Sequence, residues 1–408
     1  MIPLPTLPAP GEGSEPQLLE EIRRRILRDG PLNFAEFMQL ALYHPQWGYY
    51  SRAEDPIGRS QDSDFYTAPA RHPAFGVLLG REVAQCLERI GGGEKEWVEF
   101  GPGGGHLAAS VAMELRRRGL GPSHGVRGTL IEANPHRRAM QEDRLRSQGI
   151  LDGVRWLTPQ EWSDSGAGLR GCVIANEVLD ALPVHRLVYR GGDFSEIRIG
   201  WQEGPVEILE PVAGEPLLSH VKAAYPAPRE GQEFEVGMEA LRWVRRLAGR
   251  LERGYAILMD YGYLSSEIES PRHHRGTLLA YYRHAVTERY LDRIGRQDLT
   301  AHVNFTSILE VARRCGMQAR GPLPQGRFLL ALGALDWFAS SAEDGSFAAQ
   351  LNRKAVQDLF LPSGMGESHQ AVVLATTGCD LDLTGLEPVE RWDRRMADAE
   401  VEARAGGS

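Results

Sequence analysis

The stretch from Trp97 to Ser110, "WVEFGPGGGHLAAS", joins an apolar-rich run to a run with helical spacing through a loop that has four glycines in five positions. A loop that leaves a parallel strand and enters a helix presents free backbone N–H groups at the start of the helix. Glycine admits positive φ and lets a ligand lie directly against the backbone. Because such loops usually hold nucleotides, the stretch indicates a nucleotide-binding α/β fold.

Strand-like and helix-like runs alternate on both sides of this loop. They are "EWVEFG", "HLAASVAMELRRRG", "RGTLIEAN", "PHRRAMQEDRLRS", "GCVIANEV", "GMEALRWVRRLAGRL" and "GYAILMDYG". The alternation predicts a parallel sheet with helices on its faces. The run "RLVYRGGDFSEIRIGWQEGPVEILEPV" alternates apolar and polar residues around "GGD" and "EGP" turns. It predicts an antiparallel β-meander inserted at about residues 185–215.

Four regions follow from these patterns. The Pro-rich, acidic start predicts a disordered leader over residues 1–16, and amphipathic runs predict a helical cap over 17–90. The α/β domain is expected over 91–378, and a polar tail over 379–408.

Composition excludes several classes of function. The 408 residues have a net charge of −9, so no overall basic field attracts nucleic acid or anionic lipid. No apolar run is long enough to span a bilayer, so no membrane insertion is expected. The four cysteines lie far apart, without metal-ligand or redox spacing. This pattern predicts reduced cysteines in a cytoplasmic protein without a metal site.

Two acidic residues beside the glycine loop bear on which nucleotide binds. A P-loop would need Gly-Lys-Ser/Thr, which is absent from the loop. Glu99 stands two residues before the first glycine, where it would disfavour a pyrophosphate and suit a cationic ligand. Glu132 ends the next strand, where an acid accepts hydrogen bonds from ribose hydroxyls. S-adenosylmethionine carries a sulfonium and an ammonium but no phosphate, so the pattern favours this cofactor over NAD.

A second group of polar residues follows the run "GCVIAN". Asn176 and Glu177 lie where ligands bind to a parallel sheet, at the carboxyl end of a strand. Glu177 and Asp180 share a face if the chain is helical there, and two carboxylates on one face can bind a guanidinium. In the alternative interpretation, Asp180 caps a short turn before Pro183 and Glu177 is merely solvated.

Several motifs resemble those of the MidA-like family of S-adenosylmethionine-dependent methyltransferases, the family of a mitochondrial complex I assembly factor described as a protein arginine methyltransferase. They are "FAEFMQLALYHPQWGYY", "DFYTAP", "VEFGPGGGHL", "NEVLDALPVHRL", "LMDYGY", "RGTLLAYYRHAV" and "DLTAHVNF". Two positions depart from the family's glycine loop, which usually has Arg and Thr at Gly104 and His106. A third departure is the family's Ser-Pro-Glu, which is here replaced by residues 68–70, "APA".

The resemblance implies a class I Rossmann-like methyltransferase fold with an N-terminal helical cap and the inserted meander. It implies S-adenosyl-L-methionine as the cofactor and a protein side chain, arginine in the family, as the acceptor; a subunit of a respiratory complex is one such partner. A non-catalytic nucleotide-binding assembly chaperone of the same fold is the alternative. The sequence fixes no oligomeric state. The expected cofactor contacts are Glu99, Gly101, Pro102, Gly103, Gly105, Glu132 and Asn176, and the expected catalytic residues are Glu177 and Asp180.

Overall fold

The computed structural model describes residues 11–52, 67–166, 168–340 and 347–387. The first ten residues of the predicted leader and the predicted tail from residue 388 onward lie outside this part of the chain. The "DFY" of the "DFYTAP" motif lies outside it as well.

The described residues form strands, α-helices and short 3-10 helices. The strands are β1 (Leu32–Asn33), β2 (Lys95–Phe100), β3 (Val126–Ile131), β4 (Val154–Leu157), β5 (Leu169–Asn176), β6 (His185–Arg190), β7 (Asp193–Trp201), β8 (Pro205–Pro211), β9 (Glu233–Val236), β10 (Leu251–Tyr263), β11 (Leu279–Tyr282), β12 (Ala285–Thr287), β13 (Asp298–Thr300), β14 (Val303–Asn304), β15 (Gln318–Pro324) and β16 (His369–Ala375). The α-helices are α1 (Pro16–Asp29), α2 (Phe34–Tyr43), α3 (Ala68–Arg71), α4 (Pro73–Arg89), α5 (His106–Arg117), α6 (Pro135–Ser147), α7 (Pro159–Asp164), α8 (Glu215–Ala224), α9 (Met238–Arg250), α10 (Ser265–Ile268), α11 (Phe305–Arg314), α12 (Gln325–Ala331), α13 (Ala334–Ser340) and α14 (Phe347–Phe360). The 3-10 helices are Tyr49–Ser51, Pro122–His124, Pro271–His273 and Thr384–Leu386.

The central sheet has the strand order β15-β16-β10-β5-β2-β3-β4, with the short β14 pairing beside β10. In this sheet the neighbouring strands β4, β3, β2, β5 and β10 are parallel. Strand β16 is antiparallel to both β10 and β15. The predicted parallel sheet is therefore extended by an antiparallel pair. After β2 the chain adds β3 and β4 on one side of it and then β5 and β10 on the other, so the direction of strand addition reverses between β2 and β5. Ligands of open α/β sheets bind outside the carboxyl ends of the strands at such a point.

Helices cover both faces of this sheet. On one face, α4 packs closely on α5, because Gly76 has no side chain and an added Cβ would lie 2.5 Å from Cβ of Ser110. Residues such as Leu79 and Val111 of these helices are fully buried. On the other face, α9 and α11 enclose a second core. Since α4 belongs to the core of the α/β domain, the cap does not extend to residue 90 as predicted.

The cap is built from three distant parts of the chain, residues 18–50, 184–201 and 278–301, which share one buried cluster. Strand β1 pairs with β7 of the meander, and α2 starts directly after it. Asn33 and Glu36 form a capping box at this start. The meander itself, β6 to β8, is antiparallel and ends at Pro211. The N-terminal helices are therefore one wall of the cap and not an independent domain.

Both predicted terminal regions are partly packed. In the leader, the Gly11 N–H donates to the Leu291 carbonyl at 2.9 Å and the Glu15 N–H to the Ile294 carbonyl at 2.9 Å. In the tail, Cys379 and Leu383 are buried against the sheet's helices. The predictions of a disordered leader up to residue 16 and of a polar tail from residue 379 therefore do not hold for these stretches, because each buries side chains or pairs its backbone.

Candidate active site

A cavity of about 660 Å³ lies at the carboxyl ends of β2, β3 and β5 and is roofed by the cap. Its volume is within the range of small-molecule sites, about 300–1,000 Å³. The predicted site residues that line it are Glu99, Gly101, Pro102, Gly103, Glu132, Asn176, Glu177 and Asp180. Gly105 does not line it. It precedes α5 in a left-handed conformation, and an added Cβ would lie 3.2 Å from Cγ of Gln141. Its role as a cofactor contact stays a prediction, and in this structure Gly105 lies against Gln141.

The glycine loop is held from behind by α6. Gly101 and Gly103 have φ of 59° and 51°, in the left-handed region. The Gly103 carbonyl accepts a hydrogen bond from Nε2 of Gln141 at 2.8 Å, and the Gly104 carbonyl accepts one from Nε of Arg144 at 2.6 Å. The loop thus has a fixed shape before any ligand binds.

Gln141 is a site residue that the sequence did not reveal. Its fully buried side chain contacts the Gly103 carbonyl and donates to Oε2 of Glu132 at 3.3 Å. It also accepts a hydrogen bond from Nε1 of Trp156 at 2.8 Å. The Asn134 N–H donates to Oε1 of Glu132 at 2.8 Å. This network orients the carboxylate predicted to receive the ribose hydroxyls, and each of its oxygens can accept a further hydrogen bond.

Glu99 is the clearest sign that the cavity fits a positively charged ligand. Its side chain is 3% exposed and lines the cavity. Among the described residues, no group donates a hydrogen bond to its Oε2. Burial raises the pKa of this carboxyl to about 8. An ammonium such as that of S-adenosylmethionine would supply the missing donor and favour the ionised carboxylate.

The raised pKa of Glu99 predicts a pH-dependent stability. Because the folded protein binds this proton more tightly than the unfolded chain does, the protonated carboxyl contributes stability. The contribution is complete below the pKa of the unfolded chain and is lost as the pH rises through the folded-state pKa of about 8. The loss approaches about 1.4 kcal/mol per pH unit between the two pKa values. We expect the melting temperature of the ligand-free protein to fall from pH 6 to pH 9, and Glu99→Gln to fall less steeply. Equal slopes in wild type and variant would contradict this assignment.

Glu177 lies directly after β5 with a φ of 53°, which is uncommon for a residue other than glycine. Its Oε1 accepts hydrogen bonds from the Ala68 N–H at 3.2 Å and from Nδ2 of Asn176 at 3.1 Å. Burial, and then the charge of Asp180, raise the pKa of Glu177 to about 8. Non-glycine residues in left-handed conformations cluster at functional sites, so the backbone is a further reason to consider Glu177 functional.

The turn after Glu177 is not helical, so the condition under which Glu177 and Asp180 would share a helix face is not met. Instead Asp260, at the end of β10, holds it: Oδ2 accepts from the Val178 N–H at 3.1 Å and the Leu179 N–H at 2.7 Å. Burial raises the pKa of Asp180 well above its usual value, and Asp260 contributes next. Among the described residues, Oδ1 of Asp180 has no hydrogen-bond partner. The cap of this turn is thus Asp260, and Asp180 lines the cavity.

Two tyrosines of the cap form the roof of the cavity. The Tyr43 hydroxyl donates to the Ala181 carbonyl at 3.0 Å, and the Tyr50 hydroxyl donates to Oδ1 of Asp298 at 2.8 Å. The two rings stack with their centroids 5.4 Å apart. Nδ2 of Asn134 donates to the Tyr50 carbonyl at 2.9 Å. The cap is therefore fastened to both the cofactor loop side and the Glu177 side.

The described residues contain neither a metal site nor a membrane-spanning helix. No group of three or more His, Cys, Asp or Glu side chains is arranged to hold a metal ion in the described part of the chain. Within the same ranges, no helix combines the length and the apolar composition needed to cross a membrane.

Comparison with known proteins decides the family. Residues 78–323 match the model of a family described as "Putative S-adenosyl-L-methionine-dependent methyltransferase". The chain belongs to this family. The methyltransferase is also similar to a protein from Burkholderia thailandensis, crystallised with S-adenosyl-homocysteine, at 32% identity and a TM-score of 0.83 over 93% of this chain and 97% of the other. The predicted Rossmann-like fold, cofactor and enzymatic activity are thereby confirmed, and the comparisons give the non-catalytic alternative no support.

Curated relatives of the methyltransferase are named for protein arginine methylation. "Protein arginine methyltransferase NDUFAF7 homolog, mitochondrial" of Drosophila melanogaster is 29% identical over 80% of this chain and 77% of its own length. "Protein arginine methyltransferase NDUFAF7, mitochondrial" of Danio rerio is 28% identical over 86% of this chain and 85% of its own length. The prediction of a cytoplasmic location is wrong, because it is contradicted by these relatives, which are named as mitochondrial proteins.

Proposed function

We propose that this methyltransferase transfers methyl groups to an arginine side chain of a protein. The observation that supports the proposal is the acidity of the cavity beside the cofactor loop: among the residues that the structure describes, six carboxylic acids line it, against two arginines and no lysine. Three of the acids lie near one another: Asp180 and Asp298 are buried, the Glu177 side chain is 7% exposed, and the charges of Asp180 and Asp298 both raise the pKa of Glu177. Such a group of acids favours a cationic acceptor, and a guanidinium fits two carboxylates in a bidentate manner.

The chemistry requires alignment, dehydration and removal of one proton. When bound, the cofactor supplies a methyl group on a positively charged sulfur. Glu177 would hold the acceptor nitrogen and accept the proton that this nitrogen loses as its bond to the methyl carbon forms. Asp180 would support Glu177 by offsetting the charge of the guanidinium. The cap, with Tyr43 and Tyr50, would exclude water from the cavity.

The names of the curated relatives support a protein, and not a small molecule, as the methyl acceptor. The curated relatives are called protein arginine methyltransferases, and the family resemblance adds a respiratory-complex subunit as one candidate acceptor. Tyr281 and Thr300, from strands of the cap, line the same cavity as Glu177.

The test is methylation proteomics on lysate from cells that lack the protein. Purified wild-type enzyme and the Glu177→Gln variant are each incubated with lysate and isotope-labelled S-adenosylmethionine, and labelled peptides are identified by mass spectrometry. We expect labelled arginine with the wild type and far less with the variant. Labelled lysine, glutamine or a labelled small molecule, with no labelled arginine, would contradict the proposal and name the true acceptor class.

A further inference from the structure

In the described part of the chain two arginines line the cavity, and they differ in their partners. Arg246 forms an ion pair with Oε1 of Glu239 at 2.6 Å and is half-exposed. Arg137 is only 6% exposed, and among the described residues its Nε and Nη2 have no hydrogen-bond partner. Its guanidinium lies 5.2 Å from the centre of the Tyr50 ring. A cation–π contact of this kind leaves the N–H donors unsatisfied.

An unpaired buried guanidinium is unfavourable. Arginine stays protonated in proteins, so Arg137 cannot relieve the cost by losing its charge. Buried charges are therefore paired or meet a ligand. Arg137 lines the cavity and carries two buried donors without a partner among the described residues, so a small movement of this side chain would let it pair with an anionic group on a ligand.

The position of Arg137 on α6 indicates which ligand. It lies four residues before Gln141, and residues at this spacing share one helix face. Gln141 contacts the Gly103 carbonyl and the Glu132 carboxylate, so this face of α6 borders the cofactor half of the cavity. The proposed acceptor guanidinium is a cation and would not attract Arg137. S-adenosylmethionine and S-adenosylhomocysteine each carry one anionic group, the carboxylate of the amino-acid portion.

We infer that Arg137 binds the carboxylate of the cofactor and makes the site selective for the intact amino-acid portion. Glu99 would then receive the ammonium of the same portion, so that the two charges of the amino acid meet opposite charges of the protein. The inference depends on the cofactor and is independent of the identity of the methyl acceptor.

The test is calorimetry with two ligands. One is S-adenosylhomocysteine, and the other is its decarboxylated analogue, which keeps the adenosine and the ammonium. We expect the wild type to bind S-adenosylhomocysteine about 10–100-fold more tightly than the analogue, the range for a charge-assisted hydrogen-bonded pair. Arg137→Gln should lose this preference, because it should lower the affinity for S-adenosylhomocysteine and leave the affinity for the analogue unchanged. Arg246→Gln, in which an arginine that already has a partner is replaced, should keep the preference.

Three outcomes would overturn the inference. Equal affinity of the wild type for the two ligands would show that no group reads the carboxylate, and this measurement needs no variant. An equal loss of affinity for both ligands in Arg137→Gln would mean that Arg137 acts only by holding Tyr50 and the cap in place. An unchanged preference in Arg137→Gln would place the carboxylate elsewhere. Thermal melts of each variant identify a folding defect, and Arg137→Lys, with its charge retained, then serves as the folded comparison and should keep part of the preference. None of these measurements uses methyl transfer, so failure of the arginine-acceptor proposal would leave them unaffected.

Discussion

Replacing Glu177 with glutamine is expected to reduce methyl transfer by about 10²–10⁴-fold, the span for the loss of an acid–base group, while cofactor affinity stays nearly unchanged. Glutamine keeps the size of the side chain and a carbonyl oxygen that can still accept from the Ala68 N–H. It cannot offset the charge of a guanidinium or take its proton. Binding of S-adenosylhomocysteine by calorimetry and methyl transfer to an identified peptide measure the two quantities separately.

Two carboxamide variants are the controls for Glu177→Gln. Asp180→Asn should cost less activity, because Asp180 is expected to support Glu177 and not to hold the acceptor. Glu239→Gln removes a cavity acid that is already paired with Arg242 and Arg246, and it should have the smallest effect. Loss of cofactor binding in Glu177→Gln would instead place Glu177 in the cofactor half of the cavity. Full activity in both Glu177→Gln and Asp180→Asn would mean that the acceptor is held elsewhere.

The same residue predicts the pH dependence of the reaction. A general base acts in its ionised form, and the pKa of Glu177 is raised to about 8 in the ligand-free protein. Since kcat/KM reports the ionisation of the free enzyme, it should rise with pH up to about 8 and level off above it. At saturating cofactor, where the bound ammonium favours the ionised form of Glu99, kcat/KM for the acceptor should lose this limb in Glu177→Gln. A wild-type profile that is flat from pH 6 to 9 would argue against Glu177 as the base.

Replacing Gly103 with valine is expected to remove measurable cofactor binding. Gly103 has a φ of 51°, a conformation in which a β-branched residue is strained. Its carbonyl is held by Gln141 on one side, so the loop cannot easily shift, and the new side chain would enter the space where a ligand meets the backbone. Calorimetry with S-adenosylhomocysteine provides the readout.

The matched control is Gly119, just after α5. It has a φ of 74°, and no atom of the described residues lies within 4 Å of a Cβ added there. Gly119→Val therefore introduces a similar backbone strain outside the cavity, and we expect it to lower the melting temperature without affecting cofactor affinity. A Gly103→Val variant that binds the cofactor as the wild type does would show that the loop does not touch the ligand.

Local patterns were sufficient for much of the fold. The glycine loop, the strand before it, the helix after it and the helix over Pro135–Ser147 are set by contiguous residues, and the structure places them as the sequence predicts. Glu99 and Glu132 could be selected because each ends a recognisable strand. The antiparallel partner of β10 was not predicted, because "SHQAVVLATTG" is an apolar run whose direction depends on its neighbours in the sheet and not on its own sequence.

The missed site residues share a different cause. Asp298, in the short strand β13, lines the cavity and accepts a hydrogen bond from Tyr50, which lies about 250 positions earlier in the chain. Gln141 is one polar residue on a helix with many polar residues, and only its contacts distinguish it. Asp260 could have been found: it follows the apolar run "GYAILM" toward the carboxyl end of a strand beside β5, the same rule that selected Asn176.

The place of β16 in the sheet has a consequence for biosynthesis. This strand, His369–Ala375, is the last in sequence of the strands in the described residues, yet it lies between β10 and β15. Until the ribosome has released residue 375, both of these earlier strands have an open edge, and open edges invite pairing with other chains. Nascent chains that stall before this point should therefore aggregate or require a chaperone, and nonsense mutations upstream of β16 should yield insoluble product.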